Sequence, residues 1–272
     1  MLSITNKNSF LIDEDIDITQ QYLKNGFYIA PAADKIALSW IKSSFLKIIK
    51  DELNIKTDSN EEQLFDLIHK KVPISELNSF RLSVMKKMNE LPDFRKNYFK
   101  VAEPYLNILV GNELAMQVRV NLSIQYPNDN SSLLPLHADT WSGDSPFEVV
   151  VWIPLVNCYN TKSMFLLPPS ENMKLNENFK QMAGSKMEDL YESIENKVDW
   201  VKIDYGNILI FNHSLPHGNR INEENETRWS INCRFKSVFT PYWEKPLGSF
   251  FEPITLRAAS ISGMNYKLPE LK

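Results

Sequence analysis

The chain has 272 residues, 43% of them hydrophobic and 24% charged, with a formal net charge of −4 and a pI near 5.7. That is an ordinary globular composition, long enough for one large domain or a core with a helical extension, and an acidic balance without a basic stripe argues against nucleic acid as a partner. No run of about 18 apolar residues occurs, so no membrane-spanning helix is expected, and two cysteines, Cys158 and Cys233, cannot build a disulfide framework, which points to the reducing cytoplasm.

Met1 to Lys7 lacks the apolar stretch and the cleavage site of a signal peptide. Residues 1–32 read as short strands and loop, with apolar runs at 10–12 and 26–30 and a stop at Pro31. Asp34 then stands as N-cap to a helix in which Ile36, Leu38, Ile41, Phe45, Ile48 and Ile49 recur at helical spacing, ending near Asn54. Residues 61–71 predict a shorter helix, where His69 beside Lys70 and Lys71 reads as exposed. Ser75 to Glu90 predict a third, interrupted by Pro92 and resuming over 95–110. Residues 1–114 together read as a mostly helical support.

Near residue 115 the period changes from 3.6 to 2. Met116, Val118, Val120, Leu122, Ile124 and Tyr126 alternate with Gln117, Arg119, Asn121, Ser123 and Gln125. Such alternation does not by itself say which face meets solvent. Strands are further expected at 147–156, 163–168, 200–203, 207–211 and 227–239. Residues 171–199 are polar and helix-prone, with Met182, Met187, Leu190, Tyr191 and Ile194 as scattered apolar members, and read as an insertion able to cover the mouth of a barrel. The tail 241–272 carries Trp243, Phe250 and Phe251 and is expected to pack back on the core.

The chemistry concentrates in Leu136-His137-Ala138-Asp139. In extended backbone residues i and i+2 share a face, so His137 and Asp139 can reach one metal ion while Ala138 turns away. A histidine and a carboxylate on adjacent corners are two thirds of the 2-His-1-carboxylate facial triad that holds non-heme Fe(II) and leaves coordination positions open. A second histidine has to come from elsewhere, and His213 and His217 are both candidates. On the last expected strand Arg228, Ser230, Asn232 and Arg234 share one face, a polar row that suits a binding wall better than a core.

The segments Pro135 to Asp139, Val150 to Leu155, Gly206 to Phe211, His217-Gly218-Asn219 and Arg228-Trp229-Ser230 resemble the Fe(II)- and 2-oxoglutarate-dependent oxygenases, in particular their phytanoyl-CoA dioxygenase-like branch. The similarity covers roughly residues 115–240 and includes, more loosely, a bacterial subset tied to carbohydrate biosynthesis. It implies a mainly β fold: a double-stranded β-helix (jelly-roll, cupin-like) core over 115–240, with N-terminal helices on one sheet and the polar face of the 115–126 strand lining the cavity. It implies that His217, eleven residues before Arg228, completes the metal set with His137 and Asp139. It assigns 2-oxoglutarate to Arg228 and Ser230 and places Trp152 in the co-substrate pocket, where it could equally be a core aromatic; on the polar face of the 115–126 strand, Gln125, closest to the His137 motif, is expected as a further co-substrate contact and Arg119 as a contact for an anionic substrate. The activity implied is hydroxylation of a small polar or sugar-related molecule by O2, with release of succinate and CO2. A carboxylate at Asp139 speaks against halogenation, since related halogenases open a halide position there. Two other readings stand beside it: a cupin-like metalloenzyme without 2-oxoglutarate, and a non-catalytic sugar-binding β-roll. Neither the substrate nor the oligomeric state follows from the sequence.

Overall fold

The computed structural model describes residues 10–56, 61–178, 184 and 186–270. The expectations placed on Met1 to Lys7 and on Met182 lie outside them. The order is α1 (Asp13–Asn25), β1 (Phe27–Pro31), α2 (Lys35–Leu53), α3 (Glu61–Asp66), α4 (Ile74–Glu90), α5 (Phe94–Lys100), α6 (Glu103–Leu109), β2 (Leu114–Gln117), β3 (Asn121–Gln125), β4 (Glu148–Pro154), β5 (Phe165–Leu166), α7 (Pro169–Asn178), α8 (Met187–Ile194), β6 (Asp199–Trp200), β7 (Asn207–Phe211), β8 (His217–Gly218), β9 (Arg228–Ser237), β10 (Phe251–Pro253) and α9 (Ala258–Met264). With 41% of the chain helical and 20% in strands, the architecture is mixed rather than mainly β. The resemblance describes the strand core, and the helical share lies largely before it.

A seven-stranded antiparallel sheet runs β1-β7-β4-β9-β2-β10, with β3 also on β9, and a three-stranded sheet runs β6-β5-β8. The long strand β9 organises the first. β4 lies along one of its edges, from Glu148↔Lys236 to Pro154↔Ser230. β2 and β3 lie end to end along the other. Met116 faces Phe235 and Asn121 faces Asn232, so residues 117–120 stand against only 233–234. The two extra residues form a bulge that carries Arg119 out to solvent. Because the insertion is even, the period-2 parity survives it, and Asn121 and Ser123 return to the face of Asn232 and Ser230.

The two faces of β9 have opposite chemistry. Trp229, Ile231, Cys233 and Phe235 pack into one core with Ile41, Phe45, Val84, Met88 and Tyr98 of the helices. Side chains of this size contribute about 1.5–3 kcal/mol each on full burial. The polar edges of the aromatics are satisfied: the Trp229 indole donates to the Phe65 carbonyl at 2.9 Å and Tyr98 to the Val151 carbonyl at 2.7 Å. Lys162, fully buried, ties α3 to the start of β9 through Asp66 (2.8 Å) and Glu226 (2.6 Å). The opposite face of β9 is left to Arg228, Ser230, Asn232 and Arg234.

Four local expectations change. Residues 13–25 are a helix, with three acids in the first turn and Gly26 in left-handed geometry (φ 79°) closing it, as helix-dipole and C-cap preferences favour. Residues 61–71 split into α3 and a 3-10 turn at Ile68–Lys70. His69 is half-buried, its Nδ1 2.9 Å from the Thr227 hydroxyl and its ring edge-on to Tyr126. In the insertion, Leu190, Tyr191 and Ile194 of α8 pack on Leu136, Phe165 and Leu167; α7 and α8 thus brace the smaller sheet, and none of their described residues lines the cavity. In the tail, Phe251 is buried through β10, while Trp243 stays exposed.

Candidate metal and co-substrate site

A cavity of about 650 Å³ opens between the two sheets and α4, within the usual range for small-molecule sites. Backbone pairing builds its metal-binding corner. His137 and His217 exchange both backbone hydrogen bonds, N–H to carbonyl at 3.0 and 2.8 Å, and directly paired residues of antiparallel strands project side by side. Their rings lie 4.2 Å apart between centroids. Ala138 is extended, and the Asp139 amide donates to the His213 carbonyl at 3.0 Å, where a 3-10 turn begins. Gly218 permits the close approach: a Cβ there would sit 2.8 Å from the Leu134 carbonyl oxygen.

One ligand atom from each of His137, Asp139 and His217 lies within 4.8 Å of the others. The His137 Nε2 is 3.5 Å and the His217 Nε2 3.9 Å from Asp139 Oδ1. Each imidazole has its Nδ1 2.8 Å from a backbone carbonyl two residues earlier, Pro135 and Leu215. A carbonyl only accepts, so Nδ1 carries the proton and Nε2 offers its lone pair inward, the usual arrangement for metal-binding histidine. Burial, with His137 adding to it, pushes the His217 pKa down to about 4, so the ring is neutral at pH 7. Burial would raise the Asp139 pKa, but its contacts with His137 and His213 and the charge of Arg234 more than offset it and hold the carboxyl well below its ordinary range. Two imidazoles with Nε2 turned inward and an ionised carboxylate fit a divalent metal.

Arg228 lies on the same cavity wall. It is 3% exposed and no carboxylate pairs with it among the described residues. Its Nη1 donates to the Ser163 carbonyl and its Nη2 to the Ser123 hydroxyl, both at 2.8 Å, while Nε is buried without a partner. The Ser230 hydroxyl is likewise buried and unpaired. Burial pulls the Arg228 pKa down to about 10, still charged at neutral pH. Nearby acids are engaged elsewhere: Glu226 binds Lys162 and Glu224 accepts from Asn160. A buried unpaired guanidinium is costly, and its planar fork matches a carboxylate.

The other expected residues divide. Trp152 lines the cavity from β4. Gln125, opposite Arg228 in register, does not; it is buried and its amide nitrogen donates to the Arg220 carbonyl. Of the polar row on 117–125, Asn121 and Ser123 line the cavity, Gln117 bonds Arg234, and Arg119 is removed by the bulge. The structure also adds roles the sequence did not assign. Arg234 is 2.7 Å from Asp139 Oδ2 through Nη2, with Nε 3.4 Å from Asp144. His213 is fully buried between the Ser145 carbonyl (3.0 Å) and Asp139 Oδ2 (3.4 Å). The polar face of β9 was a signal for Arg234; nothing in the spacing signalled Asp144.

No protein-family model matches the chain, and no curated protein does. Solved structures do. The non-heme monooxygenase ThoJ, as a nickel complex, is 12% identical with a TM-score of 0.56, over 94% of this chain and 89% of that one. AviO1 from Streptomyces viridochromogenes Tue57 is 12% identical with a TM-score of 0.54, over 84% and 97%. HygX from Streptomyces hygroscopicus, crystallised with nickel and 2-oxoglutarate bound, is 14% identical with a TM-score of 0.50, over 86% and 90%. At such identities the likeness is one of fold, and this chain shares it nearly end to end. No helix among the described residues is long and apolar enough to cross a membrane.

Proposed function

We propose that this chain is an Fe(II)- and 2-oxoglutarate-dependent oxygenase of the phytanoyl-CoA dioxygenase-like type, with residues 115–240 forming a double-stranded β-helix core, and that it hydroxylates a small polar metabolite in the cytoplasm. The observation that carries the reading is Arg228: a buried guanidinium without a carboxylate, beside an unpaired Ser230 hydroxyl, in the cavity that also holds a His/Asp/His set. A cupin-like metalloenzyme without 2-oxoglutarate, or a non-catalytic β-roll, has no use for that arrangement.

His137, Asp139 and His217 would hold the iron by one face, as facial triads do. Iron with 2-oxoglutarate and O2 supplies the oxidising chemistry, which inserts one oxygen atom into a substrate C–H bond and puts the other into succinate, with loss of CO2. Arg228 and Ser230 bind the far carboxylate of the co-substrate, the guanidinium by charge-assisted donation and the hydroxyl by one further donor. Val150, Trp152 and Met164 give the cavity an apolar flank, which excludes water and strengthens those contacts. HygX, of like fold, has been crystallised with nickel and 2-oxoglutarate bound.

The test is calorimetric titration of metal-free protein with Ni(II) and then 2-oxoglutarate, followed by a substrate screen for stimulated succinate release by the Fe(II) form. One metal per chain and metal-dependent uptake of 2-oxoglutarate are expected. Metal uptake without 2-oxoglutarate binding would favour the cupin-like reading, and no metal uptake would favour the non-catalytic one.

A further inference from the structure

The cavity carries more positive charge than the proposed chemistry uses. Among the described residues three arginines line it, Arg81, Arg228 and Arg234, against one acid, Asp139. Arg234 is matched by Asp139 and by Asp144 behind it. On the oxygenase reading, a divalent metal and the two carboxylates of 2-oxoglutarate cancel. Arg228 and Arg234 then balance Asp139 and Asp144. The charge on Arg81 remains, and no acidic side chain among the described residues pairs with it.

Arg81 sits on α4, whose Ile74, Leu77, Asn78 and Arg81 form one helical face toward the cavity. Its guanidinium is held at two points: Nη1 donates to the Leu122 carbonyl of β3 at 3.2 Å, and Nη2 to Asn78 Oδ1 at 2.8 Å. Capping that edge-strand carbonyl is a structural service, but it takes one of five N–H groups, and Asn78 takes another. The remaining donors sit on a fixed fork. Nearby, Asn121 and Asn232 pair with each other at 3.1 Å and keep neutral donor and acceptor capacity on the cavity wall. Ile74 and Leu77 add apolar contact.

We infer that Arg81 is the specificity-determining residue for a substrate with a single negative charge, a carboxylate or a phosphate ester, attached to a small skeleton bearing neutral hydroxyl or amide groups. This rests on the oxygenase reading and names its substrate class. The anion neutralises the surplus charge of the loaded cavity, and the guanidinium, fixed between α4 and β3, accepts it with little ordering cost. The asparagines meet the neutral groups.

The test uses whole protein loaded with Ni(II) and saturating 2-oxoglutarate, so that Arg228 is occupied. It is titrated with butyrate, inorganic phosphate and neutral butyramide, read by NMR titration and by the shift of the thermal midpoint. Saturable binding of butyrate or phosphate in the millimolar range is expected, with butyramide about tenfold weaker or absent, a difference near 1.4 kcal/mol. The preferred anion identifies the group. Arg81→Gln should lower anion affinity about tenfold. Since that variant also uncaps Leu122, Asn78→Asp is the second arm: it is nearly isosteric, keeps the contact to Arg81 and cancels its charge, and should produce the same loss. Unchanged anion binding in Asn78→Asp, equal binding of butyramide, or no saturable anion binding by loaded wild-type protein would overturn the inference. Failure of wild-type protein to take up Ni(II) or 2-oxoglutarate counts against the oxygenase reading instead. The Asn78→Asp comparison is then run on metal-free protein with the same two outcomes.

Discussion

Arg234 Nη2 stands 2.7 Å from Asp139 Oδ2, while Oδ1 of the same carboxylate faces the Nε2 atoms of His137 and His217. The two oxygens are therefore divided between a fixed cation and the metal position. Arg234, joined on the same oxygen by His213, favours single-oxygen ligation by Asp139 and keeps an open triad rather than a chelating acid. Arg234→Gln would free Oδ2 and leave Asp139 and Asp144 without their shared countercharge, so both would take up protons more readily. Partners of this kind are worth 10–100-fold in metal affinity. A loss of about that size in Ni(II) affinity is expected by calorimetry, together with a lower thermal midpoint of the metal-free protein, since two buried carboxylates lose their partner. Unaltered metal affinity would make Arg234 a structural ion pair only.

Much of this site was legible in the sequence, and the remainder was hidden for physical reasons. The i,i+2 relation of His137 and Asp139 survives because Ala138 is extended, and the polar row on β9 follows directly from a period of 2. The Arg119 expectation failed because alternation cannot reveal a two-residue bulge; only the pairing of β2 and β3 with β9 shows it. Gln125 holds the right register but turns to the Arg220 carbonyl, a choice made by a loop almost a hundred residues away. α1 was missed although its signals were present: acids in the first turn, Lys24 in the last and Gly26 at the end. Arg81 and Asn78 reach the cavity from a helix separated in sequence from every motif, and local patterning carries no information on that.

Arg228 is expected to cost stability in the absence of its ligand. It is buried with Nε unpaired. A buried charge without a countercharge carries its desolvation cost uncompensated, and an apolar side chain of similar length removes that cost. Arg228→Met should therefore fold with a thermal midpoint equal to or above that of wild type when 2-oxoglutarate is absent. It should lose about 3 kcal/mol, or roughly a hundredfold, in 2-oxoglutarate affinity while still binding Ni(II). 2-Oxoglutarate should raise the midpoint of the wild-type protein alone. A variant that unfolds, or binds 2-oxoglutarate as before, would show that Arg228 serves the fold instead.

The two candidate histidines separate by atom. His217 presents Nε2 to the triad, whereas His213 contacts only the carboxylate oxygen turned away from it. His217→Ala is expected to abolish measurable metal binding. His213→Ala should weaken it by about tenfold, the low end for a residue that positions a ligand. Atomic absorption after desalting, together with a binding isotherm, distinguishes these outcomes. A protein that keeps its metal without His217 and loses it without His213 would reverse the assignment.

The two cysteines supply a test of the fold by pH. Burial pushes the thiols of both Cys158 and Cys233 up to about 12, against the pull of Arg228 and Lys162 on the first and of Arg95 and Arg234 on the second. Each is packed with its sulfur against a backbone carbonyl, Val156 and Gln117, at 3.6 Å. In the unfolded chain these thiols ionise near pH 8.5. The folded pKa is raised, so the linked stability is fully present below the unfolded value and is lost as pH rises toward 12. Above pH 8.5 the folded protein holds two protons that the unfolded chain releases, a slope of about 1.4 kcal/mol per unit for each thiol. Between pH 8 and pH 10 the metal-free protein should lose roughly 4 kcal/mol from this source. A variant carrying both Cys158→Ala and Cys233→Ala should show a correspondingly flatter dependence in urea unfolding. It starts from lower stability, because each change leaves a small cavity, so the slopes rather than the midpoints decide. In native wild-type protein at pH 8 neither thiol should react with iodoacetamide on the timescale on which the urea-unfolded chain reacts at both. Equal pH slopes for the two proteins, or rapid native labelling, would place these sulfurs in contact with solvent and contradict the burial of Cys233 on β9 and of Cys158 in the same core.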